Sequence, residues 1–161
     1  MIDMDVSKTE ARHLIAAGTN KCFQHSVTVK ASADRIWDIW MDVVHWPTWD
    51  HLIKESSSLE PLKLGAKGVV VPKKGLPSKF EVITFEPQVK WALEASILTT
   101  KLKITRSVTT HGEFTAFTHE VEFSGFASSV FANLLGPGFR VALPEVMRQI
   151  AAQAALPPNG R

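Results

Sequence analysis

The chain has 161 residues, 45% of them hydrophobic and 21% charged, with a formal net charge of +2. That length suits one domain burying roughly 70% of the surface its unfolded chain exposes, and so small a charge leaves no electrostatic footprint for a nucleic-acid partner. The single cysteine, Cys22, excludes an intramolecular disulfide, no apolar run approaches the roughly 20 residues of a membrane span, and Met1 to Asp5 lacks a signal-peptide plan; together these predict a cytoplasmic protein.

Ser7 and Glu10 form a capping box ahead of Ala11, Leu14 and Ile15, and Gly18 stops the pattern, so residues 1–20 are read as an extension carrying a short helix. The main domain is expected over residues 21–156, with a breaker-rich tail at 157–161. Cys22 to Lys30 alternates as a strand, with His25 half-buried on it. Ser32 is the expected N-cap of a short helix whose apolar face is Ile36, Trp37, Trp40 and Met41. Trp46-Pro47-Thr48-Trp49 then starts a second helical turn with proline at its first position.

From Ser56 to Ser124 the period changes to that of short strands separated by Gly65, Gly68, Gly75, Pro87 and Gly112, an antiparallel meander. Phe80, Val82 and Thr84 share one phase, Pro87-Gln88 turns the chain, and Trp91, Leu93 and Ala95 share the next inward phase. The clearest segment is the hairpin of Lys101 to Ser124. Lys101, Lys103, Thr105 and Ser107 alternate with Leu102, Ile104, Arg106 and Val108, and Thr118, Glu120 and Glu122 alternate with Phe117, His119, Val121 and Phe123. A two-residue His111-Gly112 turn sets Lys103 opposite Glu120 and Lys101 opposite Glu122 on a polar outer face, with Arg106 opposite Phe117 and diagonal to His119 inside. A helical region from about Ala127 to Ala155 closes the chain, interrupted at Gly136-Pro137-Gly138, with Phe139, Leu143, Val146, Met147, Ile150 and Ala154 on one face.

Ala31-Ser32-Ala33-Asp34-Arg35-Ile36-Trp37-Asp38, Trp46-Pro47-Thr48-Trp49-Asp50, Phe85-Glu86-Pro87 and Thr118 to Gly125, taken in that order and spacing, resemble the SRPBCC (START-like) superfamily, nearest its polyketide cyclase/dehydrase-like branch. The resemblance implies an α+β helix-grip fold: a curved antiparallel sheet wrapped around a long C-terminal helix, with two short helices after the first strand and a deep pocket for apolar or aromatic molecules. It supplies no universal catalytic motif.

Two polar groups on an otherwise apolar inner face carry the site expectation. The Arg106 guanidinium suits a carboxylate or phenolate, and the His119 imidazole suits proton movement near neutral pH, so these two are also the candidates for catalysis. Trp49, Trp91, Phe117, Phe139 and Leu143 complete the expected ligand-binding set, while Trp37 and Trp40 are assigned to the core. His45, Asp50 and His51 lack metal-ligand spacing, Cys22 lacks a neighbouring cationic motif, and Lys73-Lys74 form a solvated loop tip, so no metal, cofactor or nucleic acid is expected. Three functions remain open: carriage of a small apolar or aromatic ligand, including lipids and with or without an acidic group; a cyclase or dehydratase using the same cavity; and a co-chaperone-like interaction module. Ligand identity and oligomeric state are not written in the sequence.

Overall fold

The computed structural model describes residues 21–157; the helix expected around Ser7 to Gly18 lies outside them. Strand β1 (Cys22–Val29) leads into helix α1 (Ala33–Met41) and a 3-10 helix (Val43–Thr48). Six strands follow: β2 (Ile53–Ser58), β3 (Lys67–Pro72), β4 (Ser78–Glu86), β5 (Lys90–Ile97), β6 (Thr100–His111) and β7 (Phe114–Gly125). Helix α2 (Ser128–Ala155) packs back on the sheet. The seven strands form one antiparallel sheet in the order β1-β7-β6-β5-β4-β3-β2, so β2 to β7 meander and β1 joins at the far edge. Among the described residues no helix is long and apolar enough to cross a membrane.

Local chemistry explains the helices. The Ser32 hydroxyl accepts the Arg35 N–H at 3.3 Å, and Asp34 lies in the first turn, where the exposed N–H groups favour negative charge. Ile36, Trp37 and Trp40, spaced for one helical face, are the buried residues of α1. The expected second turn begins three residues earlier than Trp46 and is a 3-10 helix, with Pro47 inside it. Three residues per turn bring Trp46 and Trp49 to the same side, and both are buried.

The β6–β7 hairpin keeps its expected faces but not its expected register. The turn is Gly112-Glu113, with His111 paired to Phe114, because Gly112 has φ of 61° and takes the first central position of a type II′ turn. Every partner therefore moves by two residues. Lys103 lies across from Glu122 rather than Glu120, Lys101 across from Ser124 rather than Glu122, and Arg106 directly across from His119 rather than Phe117. An even slip preserves which side chains share a face. A bulge between Val82 and Thr84 brings a second correction: Thr84 leaves the inward phase and Phe85 enters it, paired with Trp91 and 5.7 Å from the Trp37 ring.

The third correction is in α2, which runs without interruption through Gly136, Pro137 and Gly138 and contains Pro144 as well. Each proline removes one backbone bond, but Ala132, Gly136, Leu143, Val146, Met147, Ile150 and Ala154 stay buried along one side, and this packing holds the helix through both. The inner side chains of the sheet stack in cross-strand rows. One row runs Phe23, Val121, Ile104, Leu93, Val82, and the next runs His25, His119, Arg106, Trp91, Phe85. The first is entirely apolar and the second carries the polar groups.

Candidate ligand site

Arg106 is 3% exposed, and its guanidinium carbon lies 5.0, 5.1 and 4.9 Å from the ring centres of Trp46, Trp49 and Trp91. Three elements build this cage: the 3-10 helix supplies Trp46, the residue after it is Trp49, and β5 supplies Trp91 directly across from Arg106. The electron-rich faces of three indoles offset part of the cost of removing the cation from water, by about 2 kcal/mol for a well-desolvated contact. They give no hydrogen bonds in the ring plane. Nε and Nη1 of Arg106 are buried without a partner, as are the indole N–H groups of Trp49 and Trp91. An unmet buried donor costs about 1–3 kcal/mol, and four of them gather in one cluster of touching side chains.

Burial lowers the Arg106 pKa to about 10, opposed by the charge of Asp50, so the group remains a cation at neutral pH. Asp50 forms no ion pair with it among the described residues; its Oδ1 accepts the Leu52 N–H at 3.0 Å. Burial raises the Asp50 carboxyl above its ordinary value, and the Leu52 bond and the Arg106 charge work against that rise. The chain thus places a buried cation and a half-buried carboxyl group in one neighbourhood without joining them.

His119 is 2% exposed, and its Nε2 accepts the Trp40 indole N–H at 3.1 Å. An indole nitrogen only donates, so Nε2 carries no proton and Nδ1 carries the ring's single one. Burial, then the positive charge of Arg106 across the strand, then His25 on its other side hold the imidazole well below its usual titration range. It is a neutral, hydrogen-bonded side chain whose free lone pair is already used.

The expected site residues therefore divide. Trp49, Trp91 and Arg106 form the cage, and Phe117 and His119 adjoin it, their rings 6.3 Å apart, with Trp49 also 6.3 Å from His119. Leu143 is buried on the inner side of α2. Phe139 instead packs edge-on against Phe123 at 6.2 Å, four residues along β7 from His119, or about 13 Å of strand. Beside the cage, Pro47, Thr48, Trp49, His51, Glu145 and Gln149 line an open cleft of about 240 Å³ between the 3-10 segment and α2, which Trp49 alone shares with the expected set. Across it Gln153 Nε2 donates to Thr48 Oγ1 at 3.0 Å.

Three participants were not expected. Trp46 follows from its three-residue spacing to Trp49 once the turn is 3-10, a signal present in the sequence. Trp40 is core, as its spacing predicts, but it also fixes the His119 tautomer. Asp50 was weighed only as a metal ligand. His45, of the same group, is paired with Asp42 at 2.8 Å. On the outer face Cys22, Glu120 and Glu122 bring their ligand atoms within 4.8 Å of one another. Burial and the two carboxylates push the thiol upward, which disfavours a thiolate there, and Lys103, 3.6 Å from Glu122, opposes that rise.

The family described as polyketide cyclase / dehydrase and lipid transport matches residues 21–156. The chain belongs to that family. No curated protein sequence matches it. Its fold recurs in solved structures of low identity. A hypothetical protein from Helicobacter pylori superposes with a TM-score of 0.72 at 12% identity, covering 96% of this chain and 99% of that one. Norcoclaurine synthase from Thalictrum flavum gives 0.65 at 16%, covering 84% and 93%. The di-domain ARO/CYC StfQ from the steffimycin biosynthetic pathway gives 0.68 at 11%, covering 84% of this chain and 51% of that one. The family member described here has the helix-grip fold, a curved antiparallel sheet around a long C-terminal helix with two short helices after β1.

Proposed function

We propose that this family member binds a small, mostly apolar or aromatic molecule, lipids included, and holds its anionic or strongly accepting end at Arg106. A cytoplasmic carrier or sequestering role fits the single cysteine and the charge-poor interior. The observation that carries the reading is the buried guanidinium with two unpartnered N–H groups inside three tryptophans. A fold retains such a group at a cost unless an acceptor meets it. An oxyanion would take a charge-assisted bond from one of these two nitrogens while flat apolar surface lies against the indoles.

Acid–base catalysis receives less support. A proton mover needs a free lone pair and a pKa near the working pH, whereas His119 offers Nε2 to Trp40 and stays neutral. A cyclase or dehydratase reading would have to use Arg106 as an oxyanion stabiliser without a paired base.

Titration with 1-anilinonaphthalene-8-sulfonate, an aromatic dye with a permanent anion, tests this. Arg106→Leu should weaken the dye by about 1.5–3 kcal/mol, the range for a hydrogen bond to a charged group, while thermal stability stays within about 1 kcal/mol or rises, since an apolar replacement meets no orphaned donors. Unchanged dye affinity, or a loss of several kcal/mol of stability with Asp50 left alone, would reject the anchor.

A further inference from the structure

Helix α2 is apolar on two opposite sides, but only in its first half. Its buried side faces the sheet along its whole length. Its outward side carries Val130 (65% exposed), Leu134 (70%), the exposed Pro137 and Val141 (81%) at steps of four, three and four, with Phe126 (99%) in the turn just before the helix. Beyond Val141 the outward positions become Glu145 and Arg148, which pair at 2.7 Å as a water-facing side ordinarily does. Leu98 (88%) adds to the same end of the molecule, since its turn leads into Thr100, which pairs with Gly125 next to Phe126.

We infer that this stripe is a docking face for a lipid bilayer surface, on which α2 lies in the interface plane. Two observations choose this occupant over a second copy of the chain. From Val130 to Val141 the stripe spans about 17 Å of helix and is one helix diameter, about 10 Å, wide, which falls well short of the roughly 800 Å² that each partner gives to a stable interface. A bilayer has no such threshold, because each apolar side chain that enters it adds its own transfer free energy. Charge agrees: from Phe123 to Pro144 the sequence has no acidic residue and one basic one, Arg140, and Lys21 lies at the same end, its carbonyl accepting the Phe123 N–H. Among the described residues the nearest carboxylate in sequence, Glu122, is paired with Lys103 at 3.6 Å, so the run itself sets no unpaired negative charge against an anionic leaflet.

The test is co-sedimentation of the full chain with phosphatidylcholine vesicles, with and without phosphatidylglycerol. The chain should bind both and prefer the anionic ones. Val130→Gln with Leu134→Gln, at exposed positions that leave the core intact, should reduce partitioning by about tenfold or more, and Val141→Gln alone by less. Leu76→Gln, equally exposed in the β3–β4 loop, should leave it unchanged. A dimer in solution that the double substitution dissolves, without vesicle binding, would assign the stripe to a second copy and overturn the inference. So would equal vesicle binding by the double variant and the parent.

Discussion

The two faces of the β6–β7 hairpin treat charge in opposite ways. On the outer face Lys103 meets Glu122 at 3.6 Å and Lys101 meets Glu94 at 2.7 Å, all partly exposed; water screens them and each pair contributes little. Three residues beyond Lys103 on the same strand, Arg106 points inward and has neither an ion pair nor a hydrogen bond for Nε and Nη1. Charge that is paired outside serves solubility and strand register, whereas charge that is left unpaired inside costs stability. Within a dozen residues the hairpin thus holds both charge that supports the fold and charge that opposes it.

Trp40→Phe should produce the largest effect. It shrinks a fully buried ring and leaves His119 Nε2 without its donor, so chemical denaturation should show a loss of about 2–4 kcal/mol, and the His119 ring resonances should titrate closer to neutral pH than in the parent. An unchanged titration would mean that Trp40 does not hold the tautomer.

Acid should come next. The folded imidazole of His119 resists the proton that the unfolded chain accepts near pH 6.5, so unfolded chains bind more protons below that pH and stability falls as pH drops through it. The loss should be about 1–2 kcal/mol between neutral pH and about pH 5, and His119→Gln, which keeps an acceptor for Trp40, should flatten it in thermal melts. Asp50 acts with the opposite sign: its raised pKa lets the folded state take a proton first, so its contribution improves as pH falls. Asp50→Asn should therefore steepen the acid loss.

The outer face should give the smallest response. Lys103→Glu puts like charges opposite Glu122 and should cost a few tenths of a kcal/mol. Adding Glu122→Lys should restore it, and adding Glu120→Lys should restore less; the reverse order would contradict the register.

What the sequence made legible follows from period and what it hid follows from count. Alternation in Leu102 to Val108 and Phe117 to Phe123 assigns faces whatever the turn, so Arg106 and His119 were expected inside. Their pairing depended on whether Gly112 took the first or second turn position, and a single glycine is compatible with either. The bulge after Val82 left no mark in the side chains, which is why Phe85 was missed and Thr84 misplaced. Pro137 suggested a broken helix because local propensity was weighed without the apolar side that continues beneath it. In the site, Arg106, Trp49 and Trp91 were readable as inward strand and turn residues. Trp46 required knowing that the turn has three residues per revolution, and the Trp40 to His119 bond joins residues 79 apart in sequence.

Gly68 of β3 shows how far the cage extends beyond the residues that touch the guanidinium. A Cβ there would overlap both the Phe80 ring and the Ser57 carbonyl, so Phe80 lies flat over bare backbone. Its ring stacks on Trp46 at 5.5 Å and 28°, and Trp46 in turn forms one wall around Arg106. The missing side chain of one strand residue thus sets the depth at which two aromatic layers rest. The place of the indole beside Arg106 is dictated from the outer layer inward, by a position that never touches the guanidinium.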